Sequence, residues 1–569
     1  MTVLNLGRLD LPKEKWKSLA DRIDQIVRGQ QPLTPMEPRI EKLAQHFASL
    51  VLKRSKEKET TGEGEVEQPD YQRVDLRSLE HKAVRTIGAE YVGWQFFQRL
   101  RIDEILRQVG LSEGQIEAAA LLIVGRLVEP ASERGTLVWA RHNSAVAELI
   151  GTRIRELSES TLYRVTDKLY EQKEQIESLL RGKEKQLFEL REKIILYDLT
   201  NTYFEGSRYD SELIGHGKSK DRRNDCPLIT LGLVIDEWGF VKRSEFFPGA
   251  PDEPESLREM LKQLGGGKES TVVMDAGIAT KENLDYLKGH GLEYVCVTRG
   301  KPLSEEEEQA AGEVVTIKAE RRNKIEAQLV KGQDEWVLIC DSEQRKVKEQ
   351  AMKDRFQKRF EEGLEAIKAS LSKKGGTKRY AKVLERIGRL KEKSHGFHQY
   401  YEIEIEHDEE IVTAMRWSYS KATQAEGKYS GRYYIRTSRT DLNEKEIWKL
   451  YVTLTGIEDS FRSLKSELGM RPVYHYVDRR IKAHIFITVL AYHLLNAIRF
   501  KLRAAGYLMR WSTVRARLST HVLASISMKT DEGRTVYIRT PSTPELFHRD
   551  IYRALELHPS PIRMRKTIQ

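Results

Sequence analysis

Short β-rich runs follow one another between residues 193 and 300, and their order restricts the fold more than any other feature of the chain. KIILYDLTNTYFEG, CPLITLGLVIDEWGFVKRSEFF, STVVMDAGIA and LEYVCVTRG are each bounded by Gly, Pro or charge. Helical patterns, SLREMLKQL and KENLDYLKGHG, lie between the later runs but not the earlier ones. That succession predicts a three-stranded meander, then helix, strand, helix and strand, which is a mixed α/β layer. Residues 301–435 break the alternation. There VVTIKAERRNKIEAQLV, EWVLICD and YYEIEIE read as strands, with a highly charged helical stretch (346–395) set among them. The sequence has no repeat of solenoid period and no G-x-x-x-x-G-K-[ST] nucleotide loop.

The flanks read differently. Residues 53–70 are charged and poor in apolar side chains, as in a flexible linker. Residues 71–190 read as helical, with Ser158 or Ser160 as a candidate helix cap. A long amphipathic helix begins at Asn443. The most apolar stretch, residues 481–500, carries Lys482, His484, His493 and Arg499, which favours a buried helix over a membrane span. The N-terminus is charged where a signal peptide needs an apolar run. Cys226, Cys296 and Cys340 stand far apart, so a disulfide framework or zinc site is not expected and a cytoplasmic location is. The formal net charge of +10 favours a polyanionic partner.

Three acids stand out. Asp198 closes the apolar run Ile194-Ile195-Leu196-Tyr197, and Asp275 follows Thr271-Val272-Val273-Met274. Acids at the ends of neighbouring buried strands can converge above the sheet, where they need a cation or raised pKa values. The alternative is that each merely ends a strand or caps a turn. Glu458 lies on the amphipathic helix. Ile447, Leu450, Leu454, Ile457, Phe461, Leu464 and Leu468 form one apolar stripe, and Tyr451, Glu458, Arg462 and Lys465 form a second stripe beside it. The alternative there is a solvated flank with a Glu458–Arg462 pair.

These blocks resemble the DDE transposases of bacterial insertion sequences, in the IS-four superfamily that includes the Tn-five transposase, and most of all the IS-sixteen-thirty-four group. The resemblance spans roughly residues 80–560. It rests on LYDLTNTYFEG, GHGKSKDRRNDCPLITLGL, FFPGAPDEPESL, VVMDAGIATKENLDYL and YVTLTGIEDSFRSLKSELGMRPVYHYVDRRIKAHIFI. The last block follows the family spacing of Tyr, Arg, Glu and Lys as Tyr451, Leu454, Glu458 and Lys465, so Leu454 departs from the pattern and Arg462 is the candidate substitute. The resemblance implies an RNase H-like mixed-sheet core interrupted by a β-rich insertion with a helical hairpin, and preceded by an all-helical region. The boundaries expected are a segment and linker at 1–70, a helical DNA-end-binding region at 71–190, the core at 191–300 and 436–525, the insertion at 301–435, and an extension at 526–569.

It further implies that Asp198, Asp275 and Glu458 are catalytic and hold Mg²⁺ or Mn²⁺, two ions in all, to cut terminal inverted repeats and join them to target DNA. A homodimer acting on paired ends is implied in the same way. Tyr451, Arg462 and Lys465 are candidate DNA contacts beside the metals, as are Lys218, Lys220, Arg222 and Arg223 in the turn after the first strand. Between Asp478 and Asp531 there is no acidic residue, and that span is a further candidate for phosphate contact. STLYRVTDKL is a candidate groove-entering helix, and Trp336 or Trp417 a candidate platform for a flipped base. Two rival functions stay open: an RNase H-like nuclease that does not join, and a catalytically silent DNA-binding protein.

Overall fold

Alternating β-branched runs and helices assemble one large mixed sheet in the computed structural model. The structure describes residues 12, 15–27 and 37, scattered positions over 40–48, and residues 71–569 except 153–155, 191–192, 205–210, 218–222, 224, 250, 252, 263–269, 299, 321–322, 395, 420–429, 474 and 476. The expected linker at 53–70 and Lys218, Lys220 and Arg222 therefore lie outside the described residues. By its contacts the chain divides into two units, residues 1–77 with 529–534, and residues 78–528 with 535–569. In the first, the helix Trp16–Val27 packs Leu19 against Ile40 and Ala44, and the Arg22 Nε donates to Glu41 Oε2 at 2.7 Å.

The second unit holds the sheet. Apart from β1 (Val74–Thr86), β10 (Tyr401–Asp408) and β11 (Ile411–Tyr419), which pair elsewhere, its strands are β2 (Ile194–Tyr203), β3 (Leu228–Ile235), β4 (Val241–Pro248), β5 (Thr271–Met274), β6 (Glu293–Val297), β7 (Val315–Glu320), β8 (Asn323–Lys331), β9 (Trp336–Ser342) and β12 (Arg432–Thr437). The nine-stranded order is β4-β3-β2-β5-β6-β12-β9-β8-β7. β2, β3 and β4 form an antiparallel meander, β5 pairs parallel to β2, and β6 pairs parallel to β5. Four strands of the stretch 301–435, β7, β8, β9 and β12, join the central sheet. β12 pairs antiparallel to β6 and β9, which extends the central sheet past the edge that β6 would otherwise expose.

The charged stretch forms two helices, Glu343–Ser372 and Tyr380–Lys393, beside a hairpin of β10 (Tyr401–Asp408) and β11 (Ile411–Tyr419). Phe360, Leu364, Val383, Ile387 and Met415 give this hairpin a core of its own. Trp417 packs against that core with Lys368 over its ring at 5.1 Å, and Trp336 at the start of β9 is covered by Lys331 at 5.0 Å. Both tryptophans are half-buried strand residues.

Residues 88–188 are helical, with Ser158 rather than Ser160 capping Glu159–Glu171 through the Thr161 amide. β1 (Val74–Thr86) departs from the helical expectation for 71–190. It joins a four-stranded sheet with three C-terminal strands, β13 (Val522–Thr530), β14 (Thr535–Pro541) and β15 (Arg565–Ile568), in the order β1-β13-β14-β15. The reason is non-local: β1 is mostly exposed, so its sequence carries little period, and strand pairing fixes it.

The helix Asp478–Ala504 is long and apolar enough to cross a membrane, yet 94% of its apolar window is buried inside the protein. It packs against Glu113–Val128 and Glu159–Glu171. The interior charge it carries is matched: His493 Nδ1 meets Glu184 Oε1 at 2.7 Å, both side chains fully enclosed. Removing one partner of such a pair strands the other in a dry interior. Glu184→Ala is expected to destabilise the fold by about 3 kcal/mol, read as the shift in a urea unfolding midpoint; a change under ~1 kcal/mol would show the pair to be dispensable.

Candidate active site

Strand register brings the first two acids together. In the parallel pair, Leu196 stands opposite Val273 and Tyr197 opposite Met274. Asp198 and Asp275 are the next residues after that paired stretch, Asp198 within β2 and Asp275 just past the end of β5. Side chains alternate across a sheet, and Leu196 and Val273 belong to the core that includes Ile457 and Phe461, whereas Tyr197 and Met274 face the opposite core. Asp198 and Asp275 thus share the face covered by the glutamate helix. Each carboxylate accepts a hydrogen bond from the amide that follows it, Leu199 N to Asp198 Oδ1 and Ala276 N to Asp275 Oδ1, both at 2.7 Å. Asp198 is half-buried and Asp275 is exposed.

Glu458 arrives from above. The helix expected from Asn443 is broken into Glu444–Val452 and Leu454–Arg462 at Thr453, and it finishes in a π turn over Ser463–Glu467. Asn443 caps the first piece in a reciprocal pair with Glu446. The second piece packs against β2, with Ile457, Phe461, Leu464 and Leu468 buried beneath it and Glu458 exposed at its edge. Two bonds from the buried helix hold it: Tyr492 OH donates to Ser460 Oγ at 2.7 Å, and Arg499 Nη1 donates to Ser463 Oγ at 2.7 Å. Burial raises the pKa of Tyr451, and the negative charges of Asp275 and Glu458 raise it further. One phenol therefore lies within electrostatic reach of both acids, and it stays protonated as a hydrogen-bond donor at neutral pH.

The basic candidates divide. Arg462 is exposed and only loosely paired, at 3.5 Å from Asp459. Lys465 is half-buried on the π turn. Leu454, in the family's arginine position, packs against the core beneath the helix. Arg223 is engaged with its own turn: it forks onto Asp225 at 3.0 Å, holding that carboxyl down to about 2, and lies over the Tyr203 ring at 4.8 Å. The acid-free span 479–530 is less one-sided in space than in sequence. Arg479 bonds Asp167 and Glu171, Arg480 covers Tyr163, Lys501 meets Glu556, and Arg515 donates to the Val128 carbonyl. Those contacts also occupy Glu159–Glu171, whose Leu162, Val165 and Leu169 are buried, so the candidate groove-entering helix packs inside the unit.

A second cluster is not legible in the sequence, because its members come from two distant helices and the loop that precedes one of them. Glu133, His475 and His484 bring their ligand atoms within 4.8 Å of one another, a group able by geometry to hold a metal. His484 Nδ1 lies 3.2 Å from Glu133 Oε1, His475 Nε2 lies 2.9 Å from Glu133 Oε2, and Arg126 Nη2 lies 3.1 Å from His484 Nε2. With His484 neutral, Nδ1–H donates to Glu133 and Nε2 accepts from Arg126, which closes the network without an ion. An incoming cation would meet the guanidinium. The donor sets differ accordingly: Asp198, Asp275 and Glu458 are all oxygen, which suits Mg²⁺ or Mn²⁺. The Glu133 network instead clasps the loop that leaves the glutamate helix. Gly469 (φ +58°) comes so close to Pro130 that a Cβ there would sit 2.7 Å from the proline Cβ, and Val473 N donates to Tyr203 O at 3.3 Å, at the end of β2.

Burial, and then the charge of Arg126, push the His484 pKa from 6.5 down to about 4. Burial alone would raise the Glu133 carboxyl, but hydrogen bonds from His475 and His484 outweigh it and hold it below the usual range. Both groups act in the same direction. As pH falls below 6.5 the unfolded chain takes up a proton that folded His484 refuses until about 4, and below the ordinary carboxylate pKa Glu133 adds to the loss. Stability should fall by up to ~3 kcal/mol through His484 alone between pH 6.5 and 4. Urea midpoints measured across that range should show a shallower acid limb in His484→Gln than in the natural protein; equal slopes would contradict the assignment.

Residues 189–494 match the family model described as the transposase DDE domain. Comparison with curated proteins gives no match. Among solved structures, the chain is similar to one described as a cryo-EM structure of the piggyBac transposase synaptic complex with hairpin DNA, at 9% identity and a TM-score of 0.36, over 79% of this chain and 82% of that one.

Proposed function

From the premise that this chain belongs to the family of the transposase DDE domain, we propose that Asp198, Asp275 and Glu458 are its catalytic acids, and that it cuts DNA at the ends of an insertion sequence and joins them to a target. The observation that carries the reading is the in-register pairing of β2 with β5, which aligns two of the acids, under a helix that presents the third. The order β4-β3-β2-β5-β6, with its antiparallel meander and two parallel strands, supports an RNase H-like description of the core. The matched segment includes all three acids and the strands between them.

Divalent metal ions bound by these carboxylates would supply Lewis acidity at the scissile phosphate and lower the pKa of the attacking hydroxyl. The protein's own groups do the rest. Asp198, held within β2, and Asp275, just past β5, each accept a bond from the amide that follows, of Leu199 and Ala276, which orients the carboxylates for the charge they would gather. Tyr451, protonated beside Asp275 and Glu458, is placed to donate to a phosphate oxygen. Lys465 follows on the same helical run and serves the DNA backbone, as does Arg462. Exchange of one phosphodiester for another needs no nucleotide fuel, in keeping with the missing phosphate-binding loop. A homodimer on paired ends and a reducing cytoplasmic setting complete the proposal, and the three buried free cysteines are in keeping with the latter.

Purified protein with DNA carrying the ends that flank this reading frame tests the reading. Asp275→Asn and Glu458→Gln should each slow metal-dependent cleavage by on the order of 10³, about 4 kcal/mol of barrier, with DNA binding retained. Pre-cleaved ends offered with a plasmid should give a joined product; cutting without joining would favour the nuclease reading. Lys465→Ala should weaken DNA binding and leave Mn²⁺ affinity as it was, and the reverse pattern would overturn its role.

A further inference from the structure

One turn beyond Glu458, the end of its helix and the end of the buried helix enclose a cavity of about 230 Å³. Arg462 and Asp459 line it from Leu454–Arg462, Arg499 and Arg503 from the last turns of Asp478–Ala504, and Tyr507 and Arg510 from the turn that follows. A single carboxylate, Asp459, serves three of the guanidiniums. It lies 3.5 Å from Arg462, 3.5 Å from Arg499 and 4.0 Å from Arg503, all longer than the ~2.8 Å of a charge-assisted hydrogen bond. Arg499 is otherwise committed, to Glu467 at 2.5 Å and to Ser463. Arg510 is exposed and has no ion partner among the described residues, and Arg503 is also exposed.

Charge of this kind has a physical requirement. Four guanidiniums around one small polar cavity repel one another, and Asp459 at 3.5–4.0 Å together with Glu467 on Arg499 compensates them only in part. A phosphodiester monoanion, with its charge on two non-bridging oxygens, fits that donor set, since each guanidinium presents a planar fork of N–H groups. Asp459 and Glu458 are neighbours in sequence, about 100° apart around the helix, so the cavity flanks the acid site rather than coinciding with it.

We propose that this arginine cavity holds one backbone phosphate of the DNA strand that leads away from the Asp198–Asp275–Glu458 site. The inference rests on the DNA-cleaving reading of that site. The cavity anchors the strand beside the reacting phosphodiester.

The test is the salt dependence of binding to a random-sequence duplex, followed by fluorescence anisotropy with the full chain in the absence of metal. The double variant Arg503→Gln/Arg510→Gln should bind roughly tenfold more weakly at low salt, with the slope of log affinity against log salt reduced by about one, the signature of one lost phosphate contact. Arg503→Lys/Arg510→Lys should recover most of the slope. Arginines near a helix C-terminus can also serve only to offset its carbonyl dipoles. In that case the glutamine variant melts at a lower temperature while its slope stays unchanged, and the proposal is overturned. It is overturned as well if inorganic phosphate raises the melting temperature of the natural protein but the duplex slope does not respond to the substitutions. Failure of the catalytic reading shows separately, as metal-dependent cleavage that survives Asp275→Asn, an outcome this binding measurement does not touch.

Discussion

Two parallel strands held in register carry the site. β2 and β5 meet along Ile194–Tyr197 and Thr271–Met274, and the residue after each paired stretch is an aspartate. A slip by one residue would turn one carboxylate to the opposite face of the sheet, among Tyr197, Met274 and Tyr294, and would leave a charge buried in an apolar layer. The register is therefore fixed by the same apolar residues that bury the strands. Under the proposed reading the two carboxylates would repel one another unless a cation stood between them.

The third acid depends on a different kind of support. The helix Leu454–Arg462 is short, exposed on one flank and preceded by a break at Thr453, so its own hydrogen bonds do not fix where Glu458 stands. Packing does. Ile457 and Phe461 pin it against β2, Tyr492 and Arg499 bond Ser460 and Ser463 from the buried helix, and the loop beyond it is clasped by Arg126, Glu133, His475 and His484. The helical segment 88–188 thus bears on the acid site through the clasp. The arginine cavity at the end of Leu454–Arg462 brings further positive charge to the flank of that helix.

How much of this was legible in the sequence follows from the range of each interaction. The meander, the later strands and the apolar stripe under Glu458 are local periodic signals, and they could be read directly. So could the position of Asp275 just past β5, whereas Asp198 lies inside β2, which runs on to Tyr203 because β3 pairs with it that far. The extension of the central sheet by β12, β9, β8 and β7 could not, because strand order across a sheet is set by partners far apart in sequence. β1 was misread as helix for the same reason. The acid-free span after Asp478 looked like one basic surface, yet Asp167, Glu171 and Glu556 reach it from other elements. Arg223, a candidate DNA contact, forks onto Asp225 two residues on, a pairing that adjacency in sequence could have suggested.

The most direct test of the account is a Mn²⁺ titration followed by electron paramagnetic resonance, on the natural protein and on Asp198→Asn, Asp275→Asn and Glu458→Gln. If the three carboxyls serve one centre, each single substitution weakens or removes the same bound-ion signal, while Glu133→Gln leaves it in place. A Glu458→Gln protein that binds Mn²⁺ as tightly as the natural one, with the two aspartate variants impaired, would contradict the account, because the glutamate would then stand apart from the centre it is held to complete.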